Sequence, residues 1–151
     1  MTLTDETIRE ASNLARLELA RRSFDHFLPY VRVIEPGTGM VELEQWPHLE
    51  DAISTLGNSK MVVWAKSRQI GITTILSAFV LHHASFTPNA LALVFSKGER
   101  DAWEFLSKSR ATYESLPPEL QQPLSQPDNR EQMTFQAVSY THLTLPTILR
   151  V

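Results

Sequence analysis

The chain has 151 residues, of which 42% are hydrophobic and 21% are charged. This composition is typical of a globular unit and argues against a fibrous or disordered chain. The net charge of -3 argues against a surface that is basic as a whole, so any contact with nucleic acid must be local or made elsewhere. The chain contains no cysteine, which excludes disulfides and thiolate metal sites.

The first third of the chain predicts two helices separated by an irregular segment. Apolar residues recur at helical spacing from Asp5 to about Phe24, with charges on the other faces, which indicates an amphipathic helix. Residues 29–41 are rich in glycine and proline and predict an irregular or hairpin connection. A second helix is expected to begin at Pro47 and to end before Gly57.

Two short apolar runs, each followed by a helix, predict a parallel sheet. The runs at 61–64 and 90–95 have the pattern of strands buried on both faces. Helices are expected at 75–86 and at about 99–116, where two prolines end the second one. The order strand, loop, helix, strand, helix predicts an α/β fold with right-handed crossovers.

No segment has the features of a membrane span or a signal peptide. The longest apolar stretch, Ile75 to Ala84, contains two histidines and is too short to cross a bilayer. Charges recur every few residues near the start of the chain and leave no apolar signal-peptide core. We therefore expect neither a transmembrane segment nor a signal peptide.

The histidines do not predict a metal site. His82 and His83 are adjacent on a predicted helix and cannot face one ligand together. Without a cysteine partner, His26 and His48 are also interpreted as structural or surface groups.

The segment between the first apolar run and its helix, KSRQIGITT at residues 66–74, has the residue types of a phosphate-binding loop. Such a loop needs N–H groups at a helix N-terminus, a glycine, a lysine, and a hydroxyl for magnesium. In the usual spelling, G-x-x-x-x-G-K-[ST], Gly71 is the second glycine and Thr73 the hydroxyl, but Ile72 replaces the lysine. Lys66 stands at the first-glycine position, from which its long side chain could reach the β and γ phosphates.

This loop resembles the deviant Walker A motif of large terminases, the ATPases that package DNA into tailed-phage heads. In that motif an Arg-Gln pair precedes the glycine, and some members place lysine at the start of the loop. The resemblance implies ATP and Mg²⁺ as cofactors, with catalytic roles for Lys66 at the phosphates and for Arg68 at the γ-phosphate, and with Thr73 as the magnesium ligand. The implied nucleotide-binding residues of the loop are Lys66, Ser67, Arg68, Gln69, Ile70, Gly71, Ile72, Thr73 and Thr74.

Two neighbouring segments extend the resemblance. LEQWPH at 43–48 looks like the adenine-binding segment that precedes Walker A, which implies that Trp46 stacks on the purine and that Gln45 reads its edge. The alternative is that Trp46 is a core anchor that opens the second helix. LVFSKGERDA at 93–102 resembles helicase motif Ia, a polar turn at the end of a strand where open α/β sheets bind ligands.

The last residues resemble translated sequencing-adapter DNA. VSYTHLTLPT at 138–147 is encoded by GTC TCT TAT ACA CAT CTG ACG CTG CCG ACG, which looks like one frame of a transposase-type adapter. We therefore interpret 137–151 as non-native sequence. The alternative is a genuine β-strand, because Val, Tyr and Thr favour strands.

The resemblance divides the rest of the chain into a helical segment, 1–28, and the N-terminal part of a P-loop ATPase domain, 29–136. It implies a RecA/helicase-like parallel sheet flanked by helices, which is incomplete here because the acidic Walker B pair would follow. The terminase nuclease domain is also missing. The parent protein is thus expected to be an ATPase, and this fragment is expected to be inactive.

The implied partners are those of a packaging motor: double-stranded viral DNA, the portal and a small terminase subunit, in a homo-oligomer in the host cytoplasm. A superfamily 2 helicase-like ATPase is an alternative, since it shares the order of the three segments, but the displaced lysine and the Arg-Gln pair favour a terminase. A second alternative is a noncatalytic α/β interaction domain, which predicts no protection by nucleotide.

Overall fold

Helices and short strands follow one another along the chain in the computed structural model, which describes residues 5–35, 37–44, 46–65 and 71–136 and the backbone of 141–144. The helices are α1 (Asp5–Arg22), α2 (Phe24–Phe27), α3 (Pro47–Asn58), α4 (Ile72–Phe86) and α5 (Glu99–Ser115). The strands are β1 (Arg32–Glu35), β2 (Gly39–Glu42), β3 (Leu91–Leu93), β4 (Leu124–Ser125), β5 (Gln132–Phe135) and β6 (Thr141–Thr144). The fold is therefore a mixture of helix and strand.

The long helices lie where the sequence predicts them. The amphipathic pattern at the start of the chain forms α1, and α4 and α5 match the two helices expected after the apolar runs. Pro47 is the first residue of α3, where its fixed φ suits a helix. The predicted end of α3 is wrong, because the helix continues through Gly57 to Asn58.

The strands pair in two separate sheets, one of which the sequence predicted in part. β1 and β2 form an antiparallel hairpin, with Arg32 opposite Glu42, which is one of the two forms expected for residues 29–41. The second sheet has the order β3-β6-β5-β4, in which only β3 and β6 are parallel. The predicted parallel sheet is thus not what the described strands form. β4 and β5 are antiparallel because only residues 126–131 link them, which is too short for the crossover that parallel neighbours need.

The apolar runs at 61–64 and 90–95 are not strands buried on both faces, which corrects the prediction. The second run contains β3, in which Leu91 and Leu93 are 58% and 49% exposed. The run at 61–64 pairs with no other strand within the described ranges, and Met61 and Val63 are 86% and 89% exposed. Trp64, on the opposite face, packs against the core. The run therefore contributes one face to the core while its other face has no covering layer in the described part of the chain.

The core surrounds α4. Its Ile75, Ala78, Leu81 and Ala84 are fully buried, because α1, α2, α3 and α5 all pack around it. Ala20 of α1 belongs to the same core cluster, so the predicted N-terminal segment packs on the rest of the chain. Among the described helices, none is both long and apolar enough to cross a bilayer.

Buried hydroxyls fix α4 against α5. The Ser109 hydroxyl donates a hydrogen bond to the Ser77 carbonyl at 3.0 Å, and the Ser77 hydroxyl donates to the Thr74 carbonyl at 2.8 Å. Both serines are fully buried, where an unpaired hydroxyl would be costly. These bonds hold the first turns of α4 in register with the middle of α5.

The segment interpreted as adapter-derived includes β6, which lies between β3 and β5. The alternative, a genuine strand, predicted this secondary structure. Segments rich in threonine and leucine pair readily with an open strand edge, whether they are native or translated from adapter DNA. The pairing of β6 therefore does not distinguish the two origins, and the interpretation of 137–151 stays a prediction.

His82 is buried in an aromatic cluster beneath the end of α1. Its ring lies 5.0 Å from the ring of Phe27 and 5.2 Å from that of Phe86, and Nε2 is 2.9 Å from the Ala20 carbonyl oxygen. Desolvation lowers the pKa of His82 below 6.5, although the bond to Ala20 opposes this shift. The histidine is structural, which is one of the two roles, structural or surface, that the sequence left open.

The lowered pKa of His82 makes the stability of the fold sensitive to acid. In the unfolded chain His82 binds a proton at its ordinary pKa of 6.5, whereas in the folded chain it binds a proton only at lower pH. Stability is therefore complete above the unfolded pKa and is lost as pH falls below it. We expect the melting temperature to fall between about pH 7.5 and about pH 5, and His82→Gln to reduce that fall more than His83→Gln does. If the melting temperature falls equally with pH in the two variants, His82 is not the source of the acid sensitivity.

Candidate functional site

The start of α4 is built around Gly71. This residue caps the helix in the left-handed conformation, with φ 80° and ψ -7°. Its carbonyl accepts hydrogen bonds from the N–H groups of Thr74 and Ile75 at 3.0 and 3.1 Å. A positive φ is strained for residues that carry a Cβ, so the backbone geometry accounts for the glycine of the loop.

Two backbone donors at this helix end remain for a ligand. The N–H groups of Ile72 and Thr73 have no acceptor within the described part of the chain, as is usual for the first turn of a helix. Thr73 is exposed and Thr74 half-buried. The helix dipole adds partial positive charge here, so this turn can receive an anion.

Ile72 occupies the usual lysine position but points into the core. Its side chain is only 5% exposed and belongs to the main core cluster. A lysine at this position would bury its charge at a high free-energy cost. Ile72 can therefore serve a ligand only through its backbone.

The predicted residues Lys66, Ser67, Arg68, Gln69, Ile70 and Gln45 lie outside the described residues. Trp46 is described, and it is the residue immediately before α3. Its side chain is 47% exposed, and its ring lies 5.5 Å from that of His48. The alternative that Trp46 is a core anchor is therefore wrong. Stacking on a purine stays a prediction.

The start of α3 lies against the start of α4. A Cβ placed on Gly71 would be 3.4 Å from both terminal methyl carbons of Leu49, and Leu49 is buried in the first turn of α3. The segment that contains Trp46 and the glycine of the loop are thus neighbours in space. This proximity is what a site holding both a base and its phosphates requires.

A small cavity with two cations adjoins Thr74. Its volume is about 160 Å³, and Thr74 of α4, Arg32 of β1 and Lys108 of α5 contribute to its lining. The Thr112 hydroxyl donates to the Arg32 carbonyl at 3.4 Å, which ties β1 to α5. Sequence reasoning missed Arg32 and Lys108, because only tertiary packing brings them together and no spacing in the chain signals it.

The segment that resembles motif Ia forms the predicted turn between β3 and α5. Gly98 immediately precedes α5, and its carbonyl accepts a hydrogen bond from the Ala102 N–H at 3.3 Å. Lys97 lies 3.9 Å from Asp101, but its side chain is almost fully exposed, so this ion pair contributes little. It is the middle of α5, at Ser107 and Lys108, that lines the cavity beside Thr74.

Within the described ranges, no group of three histidine, aspartate or glutamate side chains is placed to hold a metal ion. Thr73 offers one hydroxyl, and magnesium takes most of its other ligands from phosphates and water at nucleotide sites. The hydroxyl fits that role only when a nucleotide is bound.

The comparisons with known proteins add no family to this geometry. None of the models of known protein families matches the chain, and a search of curated proteins finds no significant match.

Proposed function

We propose that the chain is part of the ATPase domain of a DNA-packaging motor of the large-terminase type. The observation that carries the proposal is the contact between Leu49 and Gly71. It places the segment containing Trp46 beside the glycine that opens α4. An adenine-binding segment and a phosphate-binding loop must meet in this way to bind one nucleotide.

In this proposal the phosphates of ATP lie at the first turn of α4. The N–H groups of Ile72 and Thr73 bind phosphate oxygens, and the Thr73 hydroxyl binds Mg²⁺. Lys66 supplies the positive charge that the buried Ile72 cannot, and Arg68 stabilises the charge that develops on the γ-phosphate. Thr74 and the N–H groups from Gln69 to Thr73 complete the cradle.

The proposal also accounts for the exposed apolar run before the loop. In a P-loop domain residues 61–64 are the strand that leads into the phosphate-binding loop, and Met61 and Val63 are then covered by the rest of the domain. In this proposal the Walker B acids that hold magnesium and activate water are not among the residues assigned above. The proposed partners are viral DNA, a portal and a small terminase subunit, in a homo-oligomer in the host cytoplasm.

The test is equilibrium titration of the chain with a fluorescent ATP analogue, with and without Mg²⁺. The proposal predicts saturable binding that magnesium strengthens and that unlabelled ATP reverses. A noncatalytic interaction domain predicts no binding at any nucleotide concentration, and that result would end the proposal. A superfamily 2 helicase predicts the same binding, and the genes that neighbour this one separate it from a terminase.

Replacing Trp46 tests the placement of the base. We expect Trp46→Ala to weaken ATP binding about tenfold or more, because stacking of a base on an aromatic ring contributes about 1–3 kcal/mol. Inorganic tripolyphosphate, which has no base, serves as the control ligand in a competition titration, and its affinity should not change. Equal weakening of both ligands would mean that the substitution disturbs the loop and that Trp46 does not stack.

A further inference from the structure

A second groove lies along α5. It has a volume of about 390 Å³, and Arg100, Trp103, Ser107, Arg110 and Arg130 contribute to its lining. The first four residues come from α5, and Arg130 comes from the segment before β5. We call it the α5 groove.

Arg130 is held in place by an aromatic ring. Its guanidinium carbon lies 3.5 Å from the centroid of the Trp103 ring, a distance typical of cation–π stacking. Within the described ranges Arg130 has no carboxylate partner. Stacking orients the guanidinium and leaves its N–H donors available to an acceptor outside the protein.

The other two arginines differ in their partners. Arg110 lies 2.7 Å from a carboxylate oxygen of Asp128 and donates to the Asn129 carbonyl at 3.0 Å, so it fixes the segment that carries Arg130. Arg100 lies 3.3 Å from Glu104, but its side chain is 88% exposed. Such a pair is weak in water, and Arg100 can exchange Glu104 for another anion.

The positive charge continues beyond the groove. Ser107 lines both the α5 groove and the cavity beside Thr74, so the two adjoin. The cavity adds Arg32 and Lys108 to the three arginines. Five basic residues thus line the two adjoining cavities, with Glu104, Asp128 and Glu42, which lies opposite Arg32, as neighbouring acids, in a chain whose net charge is -3.

We propose that the α5 groove binds the phosphate backbone of double-stranded DNA. Arg100, Trp103, Ser107 and Arg110 form a stripe along α5, and its ten-residue span rises roughly 15 Å. That length covers about four nucleotides of one strand, at about 3.4 Å each. A repeating anion fits such a stripe better than a single small one does. The choice of DNA rests on the proposed function, whereas the preference for a polyanion rests on the charges.

The test is the fluorescence anisotropy of a labelled 30-base-pair duplex, titrated with the full chain at low salt and without nucleotide. We expect Arg100→Gln with Arg130→Gln to weaken binding at least tenfold. The slope of log affinity against log salt should become shallower by about 2, because two phosphate contacts are lost. The control, Arg9→Gln with Arg16→Gln on α1, removes the same charge from two exposed side chains and should change affinity less than twofold. Equal losses in the two double variants would overturn the proposal.

A third variant excludes a trivial effect of misfolding. Glu104→Gln frees Arg100 from its partner and should strengthen DNA binding about threefold, and a damaged protein would not produce a gain. A duplex that binds no more tightly to this variant contradicts the role of Arg100. Tighter binding of a polyglutamate peptide than of the duplex would assign the groove to an acidic protein instead.

The outcome is separable from that of the nucleotide titration. Loss of DNA binding in the groove variants with unchanged ATP binding supports the groove. If the chain binds no ATP but still binds DNA through the groove, the proposed motor function is wrong and the groove is a polyanion site. ATP binding with no groove-dependent DNA binding would remove only the groove.

Discussion

Lys66→Ala should lower ATP turnover by at least about a hundredfold in the ATPase proposed above. A preorganised group that stabilises charge in the transition state typically contributes a factor of about 10²–10³. The usual lysine position holds Ile72, which is buried in the core. This residue therefore cannot replace the positive charge that Lys66→Ala removes. The measurement is steady-state release of phosphate from ATP.

Lys60→Ala is the matched control for Lys66. Lys60 is exposed and lies six residues earlier in the sequence, so its replacement removes the same charge outside the loop. We expect its turnover to stay within twofold of the unmodified enzyme. Unchanged turnover in Lys66→Ala would show that another residue supplies the charge, and the assignment of Lys66 would be wrong.

Gly71→Val should destabilise the fold by about 3 kcal/mol. A left-handed backbone costs residues with a Cβ about 1–2 kcal/mol, and Gly71 has a φ of 80°. The added side chain also enters the space beside Leu49, whose methyl carbons are 3.4 Å from the Cβ position, and overpacking typically costs about 1–3 kcal/mol. Urea unfolding followed by circular dichroism gives the free energy of unfolding.

Gly37→Val separates the two causes. Gly37 also has a positive φ, of 87°, but no atom lies within 4 Å of its Cβ position. We expect Gly37→Val to lower the free energy of unfolding only by the cost of the left-handed backbone, about 1–2 kcal/mol. Equal destabilisation by the two substitutions would mean that the contact between α3 and the start of α4 does not constrain position 71. The central geometric support for the nucleotide site would then fail.

The helices were predictable because local signals determine them. The apolar periodicity of α1 and α5, together with Pro47 at the start of α3, specifies each helix from its own residues. The end of α3 was not predictable, because glycine is tolerated in a last helical turn and Gly57 alone does not end the helix. Local signals therefore located these helices better than they located their ends.

The strands were less predictable because their environment is not local. The run at 61–64 has the composition of a buried strand, but burial of both faces requires neighbouring layers. In the described residues only the face of Trp64 meets the core. The pairing of β5 with β4 likewise follows from the short turn between them, which composition did not reveal.

The candidate site could be proposed from the sequence, but its neighbours in space could not. The positions of Gly71 and Thr73 followed from the loop pattern, whereas the contact of Leu49 with Gly71 depends on how α3 packs. Arg32 and Lys108 come from a strand and a helix far apart in the chain, and only folding brings them to Thr74. A pattern search can detect a loop, but it cannot detect charges that tertiary packing adds.

The most direct test of the central claim is to amplify the source DNA across the position of Gln136 and to read the codons that follow. The terminase assignment predicts an apolar strand that ends in two adjacent acids, followed by a domain with a cluster of metal-binding carboxylates. It also predicts that the codons for residues 138–147 are missing from the native DNA. Native DNA that encodes VSYTHLTLPT at this position, with no acidic strand after it, would contradict the account.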